Sequence, residues 1–462
     1  MDKSPIGKAS WRRELAHIPH QHTDSSGGGT IRILIVGGGC AGLTTAQRLQ
    51  RELQSELRAG RAEVTVVEAA PYLTYRPLLA EVAAGVIDPR HVVVPLRQAL
   101  PDCRVLTTRI SRIDHARRLA WLAPSGGVED ELAYDELVLA AGSVARTRPI
   151  PGLAEHGLGF ETVGEAVALG RHVLDQLDLA STTRDPELRD AALTFVFVGA
   201  GYGGVGAIAE LEDMTRRALR GYPNIGPEDL RWVLVDPGDR ILAGHEPELA
   251  EHALSQLRER NVDVRLKTAL DSAQDRVMVL SDGTRFAART LVWTAGVRPA
   301  PVLGATDLPL GEDGRIRCLG TLQVLGPDGH PLPGAWAAGD CAAVPLGADV
   351  RSPDAFCSPD AFCTPDAFCT PDAQHALAQG ELLAENLLAV AADRPPRPYR
   401  PEQRHTAAPL GLRLAAAHTR KGGLLGRHAW LLHRARTLRG LPSTQGRVRV
   451  LADWVLGGGR ER

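Results

Sequence analysis

The sequence is poor in aromatics: Phe, Tyr and Trp make up 4% of 462 residues, and there are only three methionines. Its cores must therefore be built from Ala, Val and Leu. No apolar run approaches the ~20 residues that a membrane-spanning helix needs. Residues 1–30 carry charges and a Ser-Ser-Gly-Gly-Gly run but no apolar h-region, so they read as a disordered tail and not as a signal peptide. Seven cysteines, an odd number in a chain without a secretion signal, argue against a disulfide framework. Cys103, Cys318 and Cys341 stand alone, and Cys40 reads as a packing residue in a glycine turn. Cys357, Cys363 and Cys369 recur every six residues, which is not the short spacing of a zinc or iron–sulfur site, so no metal is expected.

An apolar content of 44% with 23% charged residues is that of a soluble globular protein, and the length allows two or three domains. The net charge of −2 conceals an asymmetry: residues 397–462 hold 14 Lys and Arg against 3 Asp and Glu, a net of +11, leaving −13 for the rest. A basic end on an acidic body suggests an anionic surface as partner. Nothing in the pattern calls for a nucleic acid.

Ile31 to Val36 is a short, nearly unbroken β-branched run, as suits a parallel strand buried on both faces. It ends in Gly37-Gly38-Gly39-Cys40-Ala41-Gly42, and Leu43, Ala46, Leu49 and Leu53 then follow at helical spacing. In G-x-G-x-x-G the first glycine allows the tight turn, the second lets backbone approach a pyrophosphate, and the third lets helix and strand pack closely. A second run, Val64 to Val67, ends at Glu68, a carboxylate placed for ribose hydroxyls.

The plan repeats. Leu193 to Val198 leads into Gly199-Ala200-Gly201-Tyr202-Gly203-Gly204, a helix through about Leu219, and Trp232 to Val235 with Asp236 at the end. Each half continues through hairpin strands, around Gly126-Gly127 and around Asp282-Gly283, into a strand ending in Ala-Gly, at Gly142 and at Gly296. Two dinucleotide sites are implied. Beyond the second half come Ala338-Gly339-Asp340, a tandem hexapeptide over 352–372 whose recurrent prolines forbid regular helix, and helical spacing from Ala373 to Leu388. A proline-rich linker, Pro395 to Pro398, opens the basic end, where Trp430, Leu431, Leu432, Ala435 and Leu438, and then Val448 to Leu456, form apolar faces among arginines. These faces suit either ordinary core or an anionic lipid surface.

These residues resemble the two-dinucleotide-binding-domain flavoproteins, and within them the type II NADH dehydrogenases. The resemblance covers roughly residues 31–456, through VGGGCAG with Glu68, YRPLLAEVAAG at 75–85, VGAGYGGVGAIAELEDM at 198–214, TLVWTAGVRP at 290–299, AWAAGDCAAVP at 335–345 and AQHALAQG at 373–380. It implies an α/β fold of two Rossmann-like domains, with an FAD domain at 31–148 and 297–394 split by an NADH domain at 149–296, and a basic region at 395–462. It further implies that Gly37, Gly39, Gly42, Glu68, Gly142, Gly339 and Asp340 hold FAD, and that Gly199, Gly201, Gly204, Asp236 and Gly296 hold NADH. Ala373 and Gln374 would line a quinone pocket. The acid at 236 favours a free ribose 2′-hydroxyl, hence NADH over NADPH.

The implied activity is NADH:quinone oxidation through FAD without proton pumping, at the inner face of the cell membrane, and the resemblance also admits a homodimer. No acid–base residue is assigned. Gly206 stands where such proteins carry a glutamate, and Glu210, one turn on, need not replace it. A disulfide or sulfide chemistry lacks the cysteines it needs beside the flavin. Two alternatives stay open: a soluble NADH-dependent reductase of an iron–sulfur or rubredoxin-like carrier, and a redox-responsive flavoprotein of the apoptosis-inducing-factor type that acts by association.

Overall fold

The computed structural model describes residues 30–123, 129–244, 246–346, 368–400, 407–409, 415–419 and 422–457. The tail expected at 1–30 and most of the hexapeptide array lie outside them. The chain forms two compact units, one of residues 1–73, 94–144 and 299–402, the other of residues 74–93, 145–298 and 403–462. The second unit thus takes in 74–93, from the stretch expected with FAD, and the basic region expected at 395–462 divides at 402.

In chain order the elements that matter are β1 (Ile31–Val36), α1 (Cys40–Glu52), β2 (Ala62–Glu68), α2 (Leu79–Ala83), β3 (Arg104–Thr107), β4 (Glu136–Leu139), α3 (Val163–Thr182), β5 (Thr194–Val198), α4 (Tyr202–Ala218), β6 (Arg231–Val235), α5 (Pro247–Glu259), β7 (Val262–Arg265), β8 (Thr290–Trp293), β9 (Gln323–Leu325), β10 (Pro331–Ala337), α6 (Ala373–Ala391), α7 (Arg427–Gly440) and α8 (Thr444–Gly457).

The first unit is built on a six-stranded sheet ordered β9-β10-β4-β1-β2-β3, parallel except where β9 meets β10. Its centre is dry: Ile35, Val66, Leu137, Val138 and Leu139 are all but sealed from solvent. Continuous Val, Ile and Leu runs are what a parallel strand covered on both faces requires. The second unit repeats the arrangement as β8-β5-β6-β7, with the short strand Gly157–Leu158 beyond β8, every pair parallel. Phe195, Phe197 and Trp232 fill its interior, the Phe195 and Trp232 rings stacked at 4.4 Å.

The duplication extends to register. Val36 sits opposite Val67 on one side and Leu139 on the other, and Val198 sits opposite Val235 and Trp293 in the same way. Each half also carries its antiparallel three-stranded sheet, at 110–114, 119–122 and 130–133 in one and at 270–272, 277–280 and 285–287 in the other. Gly283 turns the second at φ +84°; residues 124–128, with the first turn, lie outside the described residues.

Candidate functional site

The three motif glycines of the first unit have three different physical reasons. Gly37 has φ +106°, and a β-carbon there would fall 2.2 Å from the Ala140 carbonyl oxygen. On Gly42 it would fall 1.9 Å from the Gly37 carbonyl oxygen, so α1 starts pressed against the end of β1. Gly39 has nothing within 4 Å of such a carbon. Two glycines are therefore demanded by the protein's own packing, and the middle one faces open space at a helix N-terminus. That is the opening a pyrophosphate requires.

The second unit is built alike. Gly199 has φ +111° with Thr294 backbone 2.6 Å from its notional β-carbon, Gly204 meets the Gly199 oxygen at 1.9 Å, and Gly201 has nothing within 4 Å. The two strand-end glycines, Gly142 at φ +66° and Gly296 at φ +78°, are likewise open.

The acids are fixed by the motifs themselves. The Gly38 amide donates to Glu68 Oε2 at 2.7 Å and the Ala69 amide to Oε1 at 2.7 Å. The Ala200 amide donates to Asp236 Oδ2 at 2.6 Å and the Gly238 amide to Oδ1 at 2.7 Å. Each carboxylate thus stands beside its glycine turn, held by backbone N–H groups, with capacity left to accept from a ribose hydroxyl. The donor set fits FAD at the first motif and a dinucleotide at the second.

The first unit gathers further residues around the first turn. Gly339, at φ +77°, donates its amide to Gln379 Oε1 at 2.7 Å, and the Ser143 hydroxyl donates to Asp340 Oδ2 at 2.7 Å. A β-carbon on Gly339 would touch those of Ala41 at 3.2 Å and Ala376 at 3.6 Å. The start of α1, the Gly-Asp turn and the first turns of α6 therefore meet. Asp372 caps α6 by accepting from the amides of Gln374 at 2.6 Å and His375 at 3.2 Å. Ala373 and Gln374 are half-buried at this helix start, within two turns of Gln379.

Ser143, Gln379 and the Thr45 hydroxyl, which bonds the carbonyls of Ala41 at 2.9 Å and Gly380 at 3.1 Å, were not singled out from the sequence. Gln379 and Gly380 lay inside the AQHALAQG stretch, but no spacing rule connects Gln379 to Gly339, 40 positions earlier, or Gly380 to Ala41, some 340 positions earlier.

The thiols of Cys103, Cys318, Cys341 and Cys369 are quiet. Burial raises Cys341 to about 11 and Cys369 to about 11, and pushes Cys318 higher still. Of the three repeat cysteines only Cys369 is among the described residues, where its amide donates to the Val344 carbonyl at 2.9 Å. Among the described residues no cluster of His, Cys, Asp and Glu is arranged to hold a metal.

Gly206 is buried within α4. Glu210 is buried too, and its carboxyl is raised to about 8, first by burial and then by the charges of Glu81 and Asp213, against the pull of Arg434 and Arg260.

Residues 31–380 match the family described as pyridine nucleotide-disulphide oxidoreductase. The type II NADH:quinone oxidoreductase of Staphylococcus aureus is 27% identical over 386 residues, 82% of this chain and 87% of that protein. Among solved structures, NDH2 from Plasmodium falciparum in complex with NADH superposes with a TM-score of 0.79 at 15% identity, over 92% of this chain and 98% of that one. A ferredoxin reductase from Rhodopseudomonas palustris gives 0.61 at 20% identity, over 84% of this chain and 81% of that one.

Proposed function

Because the chain belongs to the pyridine nucleotide-disulphide oxidoreductase family, we propose that it is a type II NADH:quinone oxidoreductase, carrying two electrons from NADH through FAD to a quinone. The observation that carries the reading is the pair of glycine turns, each closed at its first and last motif glycine, open at the middle one and latched to its own acid, with α6 packed across the first.

FAD, when bound, supplies the two-electron centre. The protein's part is binding and placement. Gly37, Gly39, Gly42 and Glu68 hold the dinucleotide end, Gly142, Ser143, Gly339 and Asp340 line its approach, and Gln379 fixes the Gly339 turn. Gly199, Gly201, Gly204, Asp236 and Gly296 hold NADH. Ala373 and Gln374 offer small apolar surface and one amide, which is what a quinone carbonyl needs in an otherwise apolar slot. A thiol relay is disfavoured, because the buried thiols are held neutral and the thiolate is the reactive form. A carrier-protein reductase is disfavoured by the similarity to a type II NADH:quinone oxidoreductase over 82% of this chain.

The quinone is reached at a membrane surface. No described helix is long and apolar enough to cross a membrane. Helix α8, however, exposes Val448 at 64%, Leu451 at 50% and Val455 at 67%, residues three and four apart that share one face. Arg447 and Arg449 flank this stripe, which supports peripheral attachment to anionic lipid at the inner face of the cell membrane.

The test is anaerobic mixing. The purified protein should be yellow, bleach with NADH faster than with NADPH, and recover its colour with a short-chain quinone. Bleaching without recovery, cured by an iron–sulfur carrier, would replace this reading with the reductase one.

A further inference from the structure

Helix α4 begins with Tyr202, inside the second glycine motif, and the C-terminal helix α7 comes within ring contact of that start. The rings of Tyr202 and His433 are 6.4 Å apart, tilted by 44°. The next residue of α7, Arg434, is sandwiched between Trp430 at 3.9 Å and Trp454 of α8 at 4.4 Å. Its Nε lies 3.8 Å from Glu81 Oε1, while the Trp454 indole N–H donates to Glu81 Oε2. Helix α8 is pinned further by Asp453, which pairs with His91 Nδ1 at 2.6 Å and accepts from the Asp88 amide at 3.1 Å.

The charges in this knot do not balance. Glu81 on α2 and Glu210 on α4 are 5% and 7% exposed. The groups acting on them are Arg434 from α7, Asp213 from α4 itself and Arg260 from the end of α5. Arg260 is already committed: it is paired with Glu212 and donates to the Ala209 carbonyl at 2.7 Å. Asp213 faces Arg217 at 3.8 Å, so among the described residues two buried carboxyls and one guanidinium are left, and an unpaired buried charge is far costlier than a retained proton.

We propose that Arg434 is a positioning residue for the NADH site, acting with one proton shared by Glu81 and Glu210 to clamp α7 onto α4 and so hold the turn that receives the dinucleotide. The inference rests on the NADH reading above. With the proton in place, one carboxylate faces one guanidinium and α7 seats neutrally against α4. Burial raises both carboxyls, Glu210 to about 8. Because the seated pKa lies above the ordinary carboxylate range, the seating is fully favoured below that range and is lost as pH rises through about 8. Loss of the clamp frees the Tyr202 ring and the helix start, weakening dinucleotide capture.

The test uses the full-length, FAD-loaded protein titrated with NAD⁺ by fluorescence between pH 6 and 9, beside KM and kcat for NADH. Wild type should bind progressively more weakly from pH 6 to about 8 and level off several-fold weaker by pH 9. Glu210→Gln, which keeps the shape and removes the titration, should bind without that pH dependence. Arg434→Met should raise Kd and KM about tenfold at neutral pH with kcat changed much less. Arg434→Met combined with Glu81→Gln and Glu210→Gln should regain most of the loss, since no uncompensated charge remains. The assignment fails if Arg434→Met lowers only the melting temperature and leaves Kd unchanged, or if Glu210→Gln keeps the wild-type pH profile. Should Arg434→Met not fold, the Glu210→Gln profile decides alone. A wild type that binds no NAD⁺ at any pH overturns the NADH reading itself, and this assignment with it.

Discussion

A β-carbon on Gly380 would stand 2.5 Å from the carbonyl oxygen of Ala41, so α6 crosses α1 with no room for a methyl group. The Thr45 hydroxyl bonds both carbonyls at that crossing. This contact sets the height of α6 over the first glycine turn, and with it the positions of Gln379, Gln374 and Ala373.

Gly380→Ala should therefore separate the two helices. The expected cost is about 1–3 kcal/mol, the range for overpacking a close contact. It should appear as a lower melting temperature together with slower flavin reoxidation by quinone. A melting temperature equal to wild type would show that the crossing has slack.

The glycines of each motif should divide by phenotype. Gly37→Ala and Gly42→Ala meet backbone and should fold poorly, whereas Gly39→Ala meets nothing in the protein and should fold normally but retain less FAD. Flavin absorbance per mole of folded protein, beside a thermal melt, reads both. Full FAD occupancy in Gly39→Ala would move the pyrophosphate away from this turn. Gly201→Ala is the counterpart for NADH, with KM as the readout.

Asp236→Ala should narrow or abolish the preference for NADH over NADPH, because it removes the acid that repels a 2′-phosphate. It also leaves the Ala200 and Gly238 amides without their acceptor, so a stability loss of roughly 1–3 kcal/mol should accompany it. Asp236→Asn keeps an acceptor oxygen and should lose selectivity with less destabilisation. Equal selectivity in all three proteins would remove the residue from coenzyme choice.

The stripe on α8 should carry lipid attachment. Leu451→Glu with Val455→Glu alters side chains half or more exposed, so the melting temperature should change little while flotation with anionic vesicles is lost. Wild-type flotation should also weaken with salt, since charge contacts are screened over ~8 Å at physiological ionic strength. Undiminished flotation of the double variant would assign the membrane contact elsewhere.

The sequence by itself determined what depends on neighbours along the chain. The β-branched runs, the glycine hexads and the acids at the ends of the next strands are local signals. They sufficed for the α/β class and for the duplication that the two parallel sheets share, down to the opposition of Val36 with Val67 and of Val198 with Val235. Helix α6 begins at Ala373, where helical spacing resumes, and runs to Ala391, three residues beyond the expected Leu388.

What only the tertiary structure decided are the contacts between residues far apart in sequence whose types are ordinary in isolation. Ser143 on Asp340, Gln379 on Gly339 and Gly380 against Ala41 show no periodicity, because they arise where separate elements cross. The grouping of 74–93 with the C-terminal segment has the same origin. Trp454, Arg434 and Glu81 read along the chain as an apolar residue and two surface charges. Only burial, which turns an uncompensated charge from negligible to costly, makes them a unit.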